Sequence, residues 1–279
     1  RGWDARFSRA GKDFEGWTSG FHSPGGAAAV NGEVFVTDNA GPWVPAAKLI
    51  RVQESKFQGH PATQPAPQEQ FKEPKDFEPP AVWIPAQLAR RVAGLAVLPE
   101  VWGPLASQLL VADGEGGLLR VQLEQVGGAW QGAVWPFAAK IGANFSRIAV
   151  SADGQLWLGG ATSTGKGGAL TKPSPAGRDG FDMKSIKALA DGFELAFTQP
   201  VGAAIAAKPA SYEVSQFTYA HQPDPAPELD HTGTAGKAAV LKVIAATPAA
   251  DGMSVRLQVS GLRAGFVTSV LAVGLQSVD

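Results

Sequence analysis

Apolar residues along this chain come in short, strand-length clusters rich in Val, Ile, Leu and Trp. Glycine, proline or charge interrupts them, and almost no stretch keeps the 3.6-residue period of a helix. The pattern predicts an all-β protein. One motif returns three times: an apolar run ending in Ala-Val, a turn, a second strand, then Asp or Gly. The first copy runs from Ala27–Val30 through Asn31-Gly32 to Val34–Asp38. The second has Gly94–Val97, a longer turn through Pro104, then Leu109–Asp113. The third has Arg147–Val150, the turn Asp153-Gly154, then Leu156–Gly160. Asn-Gly and Asp-Gly supply the positive φ angles that tight turns between twisted strands require.

Further strand-like runs flank these hairpins: Lys48–Val52 after the first, Leu118–Leu123 after the second and Ala133–Phe137 before the third. Four short strands per unit make a propeller blade, so residues 1–175 read as a segment of about three blades. A β-sandwich built from similar hairpins is the alternative. Residues 59–80 carry Pro61, Pro65, Pro67, Pro74, Pro79 and Pro80 amid Gln, Glu and Lys, a composition that cannot form a ladder and predicts an exposed insertion. A Gly/Lys/Pro/Ser-rich stretch, Thr164–Gly180, marks the expected domain boundary. Beyond it, Phe193–Phe197, Tyr212–Phe217, Leu241–Ile244 and the alternating Val255–Val259 predict a small antiparallel β-sandwich over 181–279, interrupted by a Pro-rich loop at Gln222–Pro227.

Composition narrows the chemistry. Of 279 residues, 44% are hydrophobic and 18% charged, so the chain can bury enough apolar surface to order itself. Lys and Arg total 24 against 25 Asp and Glu, without a basic block, so nucleic acid is not an expected partner. No apolar run reaches the roughly 20 residues of a transmembrane helix. The absence of cysteine excludes disulfides, thiolate metal sites and a cysteine nucleophile, and it suits an exported, periplasmic or extracellular protein. The row opens at Arg1 without a leader pattern, which predicts a signal peptide already removed or lying upstream. Gly114–Gly117 and Gly159–Gly168 lack the helix and spacing of a phosphate cradle, and no hydrolase motif occurs.

Four ordered segments carry a family resemblance: Gly20-Phe21-His22-Ser23-Pro24-Gly25-Gly26, Val34–Pro42 with its Thr37-Asp38-Asn39-Ala40-Gly41-Pro42 end, Lys48-Leu49-Ile50, and Phe57-Gln58-Gly59-His60-Pro61. Together they resemble the glucose/sorbosone dehydrogenase family, six-bladed propellers typified by soluble quinoprotein sugar dehydrogenases. The rest of the chain resembles the large multidomain planctomycete-type dehydrogenase-like proteins, in which an immunoglobulin-like module follows the propeller. Phe181–Ile186, Asp191–Val201 and Ala250–Leu257 look like parts of that module.

The resemblance implies oxidation of a sugar or other small alcohol with pyrroloquinoline quinone (PQQ) and calcium. It places His22 as the catalytic imidazole, Asp38, Gly41, Pro42 and Trp43 beside the cofactor, and Asp38 with Gly41 and Pro42 facing the metal. Two departures motivate a second expectation. Trp43-Val44-Pro45-Ala46-Ala47 stand where the family carries acidic residues, and His22 replaces the family's turn arginine. Three blades also cannot close a ring, so upstream blades or a protein partner are expected to complete it. The second expectation is therefore a non-catalytic binding or scaffold subunit of an exported assembly. Among other candidates, His60 reads as a packing or capping residue, and His221 and His231 as surface residues beside the Pro-rich loop. Asp38 and Asp113 read as strand-end carboxylates bonding turn amides.

Overall fold

The structure is a computed structural model and describes residues 2–61, 77–139, 141–162, 164–173, 180–223 and 228–278. Much of the Pro-rich insertion (62–76), part of the expected boundary (174–179) and part of the second Pro-rich loop (224–227) lie outside the described residues. The chain forms two compact units. One comprises Arg1–Val101, Ala106–Ser174 and Ala220–Pro225; the other comprises Trp102–Leu105, Pro175–Tyr219 and Ala226–Asp279.

The first unit opens with a two-stranded hairpin, β1 (Trp3–Phe7) and β2 (Phe14–Ser19). A four-stranded antiparallel meander follows: β3 (Pro24–Val30), β4 (Glu33–Asp38), β5 (Ala47–Arg51) and β6 (Val82–Ile84). A second meander contains β7 (Val92–Val97), β8 (Leu109–Asp113), β9 (Gly117–Val126) and β10 (Ala129–Ala138). A three-stranded sheet, β11 (Ala143–Val150), β12 (Leu156–Thr162) and β13 (Gly168–Thr171), completes the series. This is a partial propeller with three repeated sheets. The Ala133–Phe137 run belongs to β10, the fourth strand of the second sheet, and pairs with β9 rather than with the third sheet.

Local chemistry explains the turns. Asn31 (φ 51°) and Gly32 (φ 82°) both adopt left-handed conformations, as a two-residue hairpin turn requires. The third hairpin differs from expectation: only Gly154 has positive φ (80°), and the turn is closed by Ser151 N donating to Gln155 O at 2.9 Å. The Asp153 carboxylate instead accepts the Ser151 hydroxyl at 2.5 Å, so the aspartate braces a wider loop. In the second hairpin the long connection is closed by Leu98 N donating to Gln108 O and Ser107 N to Leu98 O.

Consecutive sheets pack through their first strands, β3 on β7 and β7 on β11. Glycines in the first two of these strands have a packing role. A Cβ on Gly26 would lie 2.7 Å from Gly94 Cα, and one on Gly94 would lie 2.8 Å from Arg147 Cα. Backbone therefore meets backbone where the strands converge. Farther out, Phe35 and Leu49 of the first sheet bury against Leu95, Leu109, Val111 and Val121 of the second, with the Trp130 ring edge-on to Phe35 at 5.3 Å. Full burial of each such side chain contributes about 2 kcal/mol. The Thr37 hydroxyl donates to Ala93 O at 2.7 Å and accepts from Gly26 N at 3.0 Å, a polar tie between two sheets.

The second unit is a β-sandwich of six antiparallel strands: β14 (Met183–Leu189), β15 (Gly192–Phe197), β16 (Tyr212–Phe217), β17 (Ala239–Pro248), β18 (Ser254–Ser260) and β19 (Val267–Ala272). Their spatial order is β14-β15-β18-β17-β16-β19. Strand β17 passes from one layer to the other: Ala239–Leu241 pair with β16, and Lys242–Pro248 pair with β18 across a bulge at Val243/Ala245. Leu195, Phe197, Val214, Val255, Leu257 and Val259 fill the interior, while Arg256 and Gln258 point outward as their alternation predicts. Tyr212 donates to Ala206 O at 2.8 Å, and burial pushes its phenol up to about 12.

Candidate functional site

The site begins with strand register. In the β4–β5 ladder Asp38 pairs directly with Lys48, which places both side chains on one face of the sheet. Both are buried, at 0% and 3% exposure, and Lys48 Nζ lies 3.3 Å from Asp38 Oδ2. The carboxylate also accepts the backbone N–H of Ser23 on Oδ1 (2.7 Å) and of His22 on Oδ2 (3.1 Å). Lys48 Nζ donates to Gln58 O at 2.9 Å. A buried ion pair survives only when its remaining hydrogen-bonding capacity is met in this way. Burial pulls the Lys48 pKa below its ordinary value, and Asp38 pulls it back up.

This pair fixes two chain segments side by side. Ser19 bridges Phe57, Gln58 N donates to Ser19 O at 2.8 Å, and His60 N donates to Gly20 O at 2.9 Å. His22 and His60 are thereby brought together, their ring centroids 4.9 Å apart and their planes at 77°. The His22 ring lies against Gly41, where a Cβ would sit 2.7 Å from its Cγ, so a larger residue there would displace the imidazole. Burial first, then His22 and Lys48, hold the His60 imidazole below its usual pKa, with Asp38 opposing.

His22, Asn39, Gly41, Trp43, Val44, Lys48, Gly59 and His60 line a shallow, open depression. Asn39 Nδ2 donates to Ser23 O (2.8 Å) and Val92 O (3.0 Å), which fixes the orientation of the amide. Its Oδ1 is buried and accepts no hydrogen bond among the described residues.

Of the residues singled out from the sequence, His22, Gly41 and Trp43 line this depression, with Asp38 supporting it through Lys48 and the 22–23 amides. Pro42 is exposed and does not line it. His60, expected to pack or cap, shares the depression with His22. His221, expected on the surface, is only 4% exposed. Its Nε2 lies 2.6 Å from Gly59 O, and its ring stacks on Phe77 at 4.7 Å and leans on Trp43 at 5.2 Å. Contact with two aromatic rings offsets part of the cost of burying an imidazole. Burial lowers the His221 pKa, Gly59 raises it, and Lys48 lowers it further. His231 is half-buried, bonded to Gln216 Oε1 at 3.0 Å. Asp113 accepts the Glu115 amide at 3.2 Å, the strand-end role expected of it, whereas Asp38 reaches back to residues 22 and 23.

A pH dependence follows from the two depressed imidazoles. The folded state holds His60 and His221 neutral, while the unfolded chain protonates them near the usual value of 6.5. Their contribution is fully present above about pH 6.5 and is lost as pH falls through their lower folded-state values. Thermal melts followed by tryptophan fluorescence between pH 7.5 and 5 should show the midpoint falling with acid, and His221→Phe should flatten that slope. A midpoint unchanged down to pH 5 would contradict the assignment.

The donor set does not fit calcium. That ion takes six to eight oxygens, anchored by carboxylates. Asp38, the one carboxylate at the site among the described residues, is committed to Lys48 and two amides, and the Gly41 carbonyl already accepts Val44 N at 3.3 Å. These bonds leave Asp38 and Gly41 without the free oxygens that a calcium ion would need. No group of three or more His, Asp or Glu residues able to hold a metal occurs among the described residues. A carboxylate-bearing quinone would also need a fixed cation, and Lys48 is occupied by Asp38 and Gln58 O.

No family model and no curated protein matches the chain. Solved structures do. A glucose dehydrogenase matches at 21% identity with a TM-score of 0.45, covering 60% of this chain and 48% of that one. The PQQ-bound aldose sugar dehydrogenase of Streptomyces coelicolor matches at 17% identity and a TM-score of 0.44, covering 60% and 48%. The soluble aldose sugar dehydrogenase of Escherichia coli, in its apo-form, matches at 17% identity and 0.41, covering 58% and 47%. The chain spans about half the length of these proteins.

Proposed function

We propose that this chain is a sugar-dehydrogenase-like propeller segment that binds a small polar ligand and serves as a binding or scaffold subunit of an exported assembly, without itself holding a calcium–quinone centre. The observation that carries this reading is the buried Asp38–Lys48 pair. It consumes the carboxylate a calcium ion would need and leaves imidazoles, an amide oxygen and an indole lining the depression. Such groups suit a sugar or polyol: Trp43 offers an apolar ring surface, and His22, His60 and Asn39 offer hydrogen bonds to hydroxyls.

Two features support a partner. Trp157 (37% exposed) and Leu170 (71%) present apolar surface on the third sheet, and the sandwich has the strand order of an immunoglobulin-like module without its last strand. That order fits the multidomain planctomycete-type organisation suggested by the sequence. Export, to the periplasm or beyond, rests on the lack of cysteine and on the resemblance.

One observation favours the dehydrogenase reading: the His22 imidazole opens onto the depression, where it could accept a hydroxyl proton if further blades supplied the cofactor's ligands. Titration with PQQ in the presence and absence of calcium, followed by dye-linked assays with a panel of aldoses, separates the two. The expected result is no calcium-dependent quinone binding and no dye reduction, with saturable quenching of tryptophan fluorescence by a monosaccharide. Calcium-dependent quinone binding that is lost in Asp38→Asn would overturn the binding-subunit reading.

A further inference from the structure

We propose that His22 and His60 form a binding site for a borderline divalent transition-metal ion, copper(II) or zinc(II), with Asn39 Oδ1 as a third, weaker ligand and water completing the shell. The site takes its donors from the depression described above, but it does not require that a sugar binds there. It begins from the spacing of the rings. A metal about 2.0–2.1 Å from an imidazole nitrogen lies roughly 3.2 Å from the ring centroid. With centroids 4.9 Å apart, two such rings sharing an ion subtend roughly 100° at the metal, between the square-planar and tetrahedral angles.

The surroundings suit a cation of this class. Each imidazole has two ring nitrogens, so one can ligate while the other keeps a hydrogen bond. Asn39 Oδ1 is buried, accepts no hydrogen bond among the described residues and belongs to a residue lining the same depression. Its amide is held by Ser23 O and Val92 O, so the oxygen is presented without further ordering. The charged groups nearby are Asp38 and Lys48, and they neutralise each other. The remaining imidazole, His221, is turned to Gly59 O and packed between Phe77 and Trp43. With no free carboxylate and two nitrogens, the donor set selects against calcium and magnesium and favours copper over zinc.

Metal-free protein titrated at neutral pH with zinc(II) by calorimetry, and with copper(II) by calorimetry and electron paramagnetic resonance, tests this. The expected outcome is one ion per chain, copper tighter than zinc, and copper hyperfine structure from two imidazole nitrogens. His22→Ala and His60→Ala should each weaken binding at least about tenfold. His231→Gln should leave it unchanged, and affinity should fall with acidification, since protons compete with the metal for the ring nitrogens. If a histidine-to-alanine variant does not fold, the resonance spectrum of the unaltered protein decides: a spectrum without two imidazole nitrogens overturns the site. Absence of saturable binding, or one-to-one binding that survives loss of both His22 and His60, also overturns it.

Discussion

Replacing Lys48 by Met is expected to destabilise the propeller unit by about 3–5 kcal/mol, because it leaves the Asp38 carboxylate buried without its counter-charge. The two amides of His22 and Ser23 still hydrogen-bond that carboxylate, which places the expected cost at the lower end. Asp38→Asn together with Lys48→Met should recover much of the loss, since the pair is then replaced by neutral groups of similar shape. Seven of the eight tryptophans, all except Trp102, lie in the propeller unit, so urea unfolding followed by tryptophan fluorescence reports mainly on it. Because the chain has two units, the change should appear in the fluorescence transition rather than in one global transition. A loss below about 1 kcal/mol in Lys48→Met would show that Asp38 does not depend on Lys48 as its counter-charge. The same substitution should loosen His60, because Lys48 also holds the Gln58 carbonyl two residues away.

Gly94→Val should be at least as damaging, costing about 3 kcal/mol or more, because no neighbour can move aside cheaply. The atoms that a Cβ would meet are Arg147 Cα at 2.8 Å, Ser146 O at 2.9 Å and Ile148 N at 3.0 Å, all backbone. Relief requires β7 and β11 to separate, and that separation would expose the buried side chains of the second and third sheets together. The control is Gly127→Ala in the β9–β10 turn, where an added Cβ meets nothing within 4 Å and only the positive φ of 58° imposes strain. Its expected cost is about 1 kcal/mol. Equal midpoints for Gly94→Val and the unaltered protein in urea would contradict the close approach of the two strands.

Much of the first unit was legible because its signals are local. The three hairpins are written as apolar runs bracketing turn residues, and the structure forms β3–β4, β7–β8 and β11–β12 at those places. The alternation of Val255, Arg256, Leu257, Gln258 and Val259 likewise declares which face of β18 is buried. Where the expectation failed, a particular side-chain contact decided, near in the chain in one case and far in the other. Asp153-Gly154 resembles a two-residue turn, yet the Asp153 side chain bonds Ser151 and opens a longer loop. His221 sits beside a Pro-rich stretch that suggested the surface, but it is buried against Gly59, 162 residues earlier, with aromatic rings on two sides.

The candidate site shows the same division. By itself the sequence determined the all-β class, the three repeated hairpins and the exclusion of cysteine chemistry. Through the family resemblance it also placed His22, Asp38, Gly41 and Trp43 at one site. Only the tertiary structure decided what those residues do. Ladder register set Lys48 opposite Asp38 and took the carboxylate away from any metal. The bridge between Ser19 and Phe57 carried His60 to His22, 38 residues earlier in the chain. The physical reason is range: turn and strand preferences act over a few neighbouring residues, whereas the charge state and ligand capacity of a buried group depend on whatever the folded chain brings within about 4 Å of it.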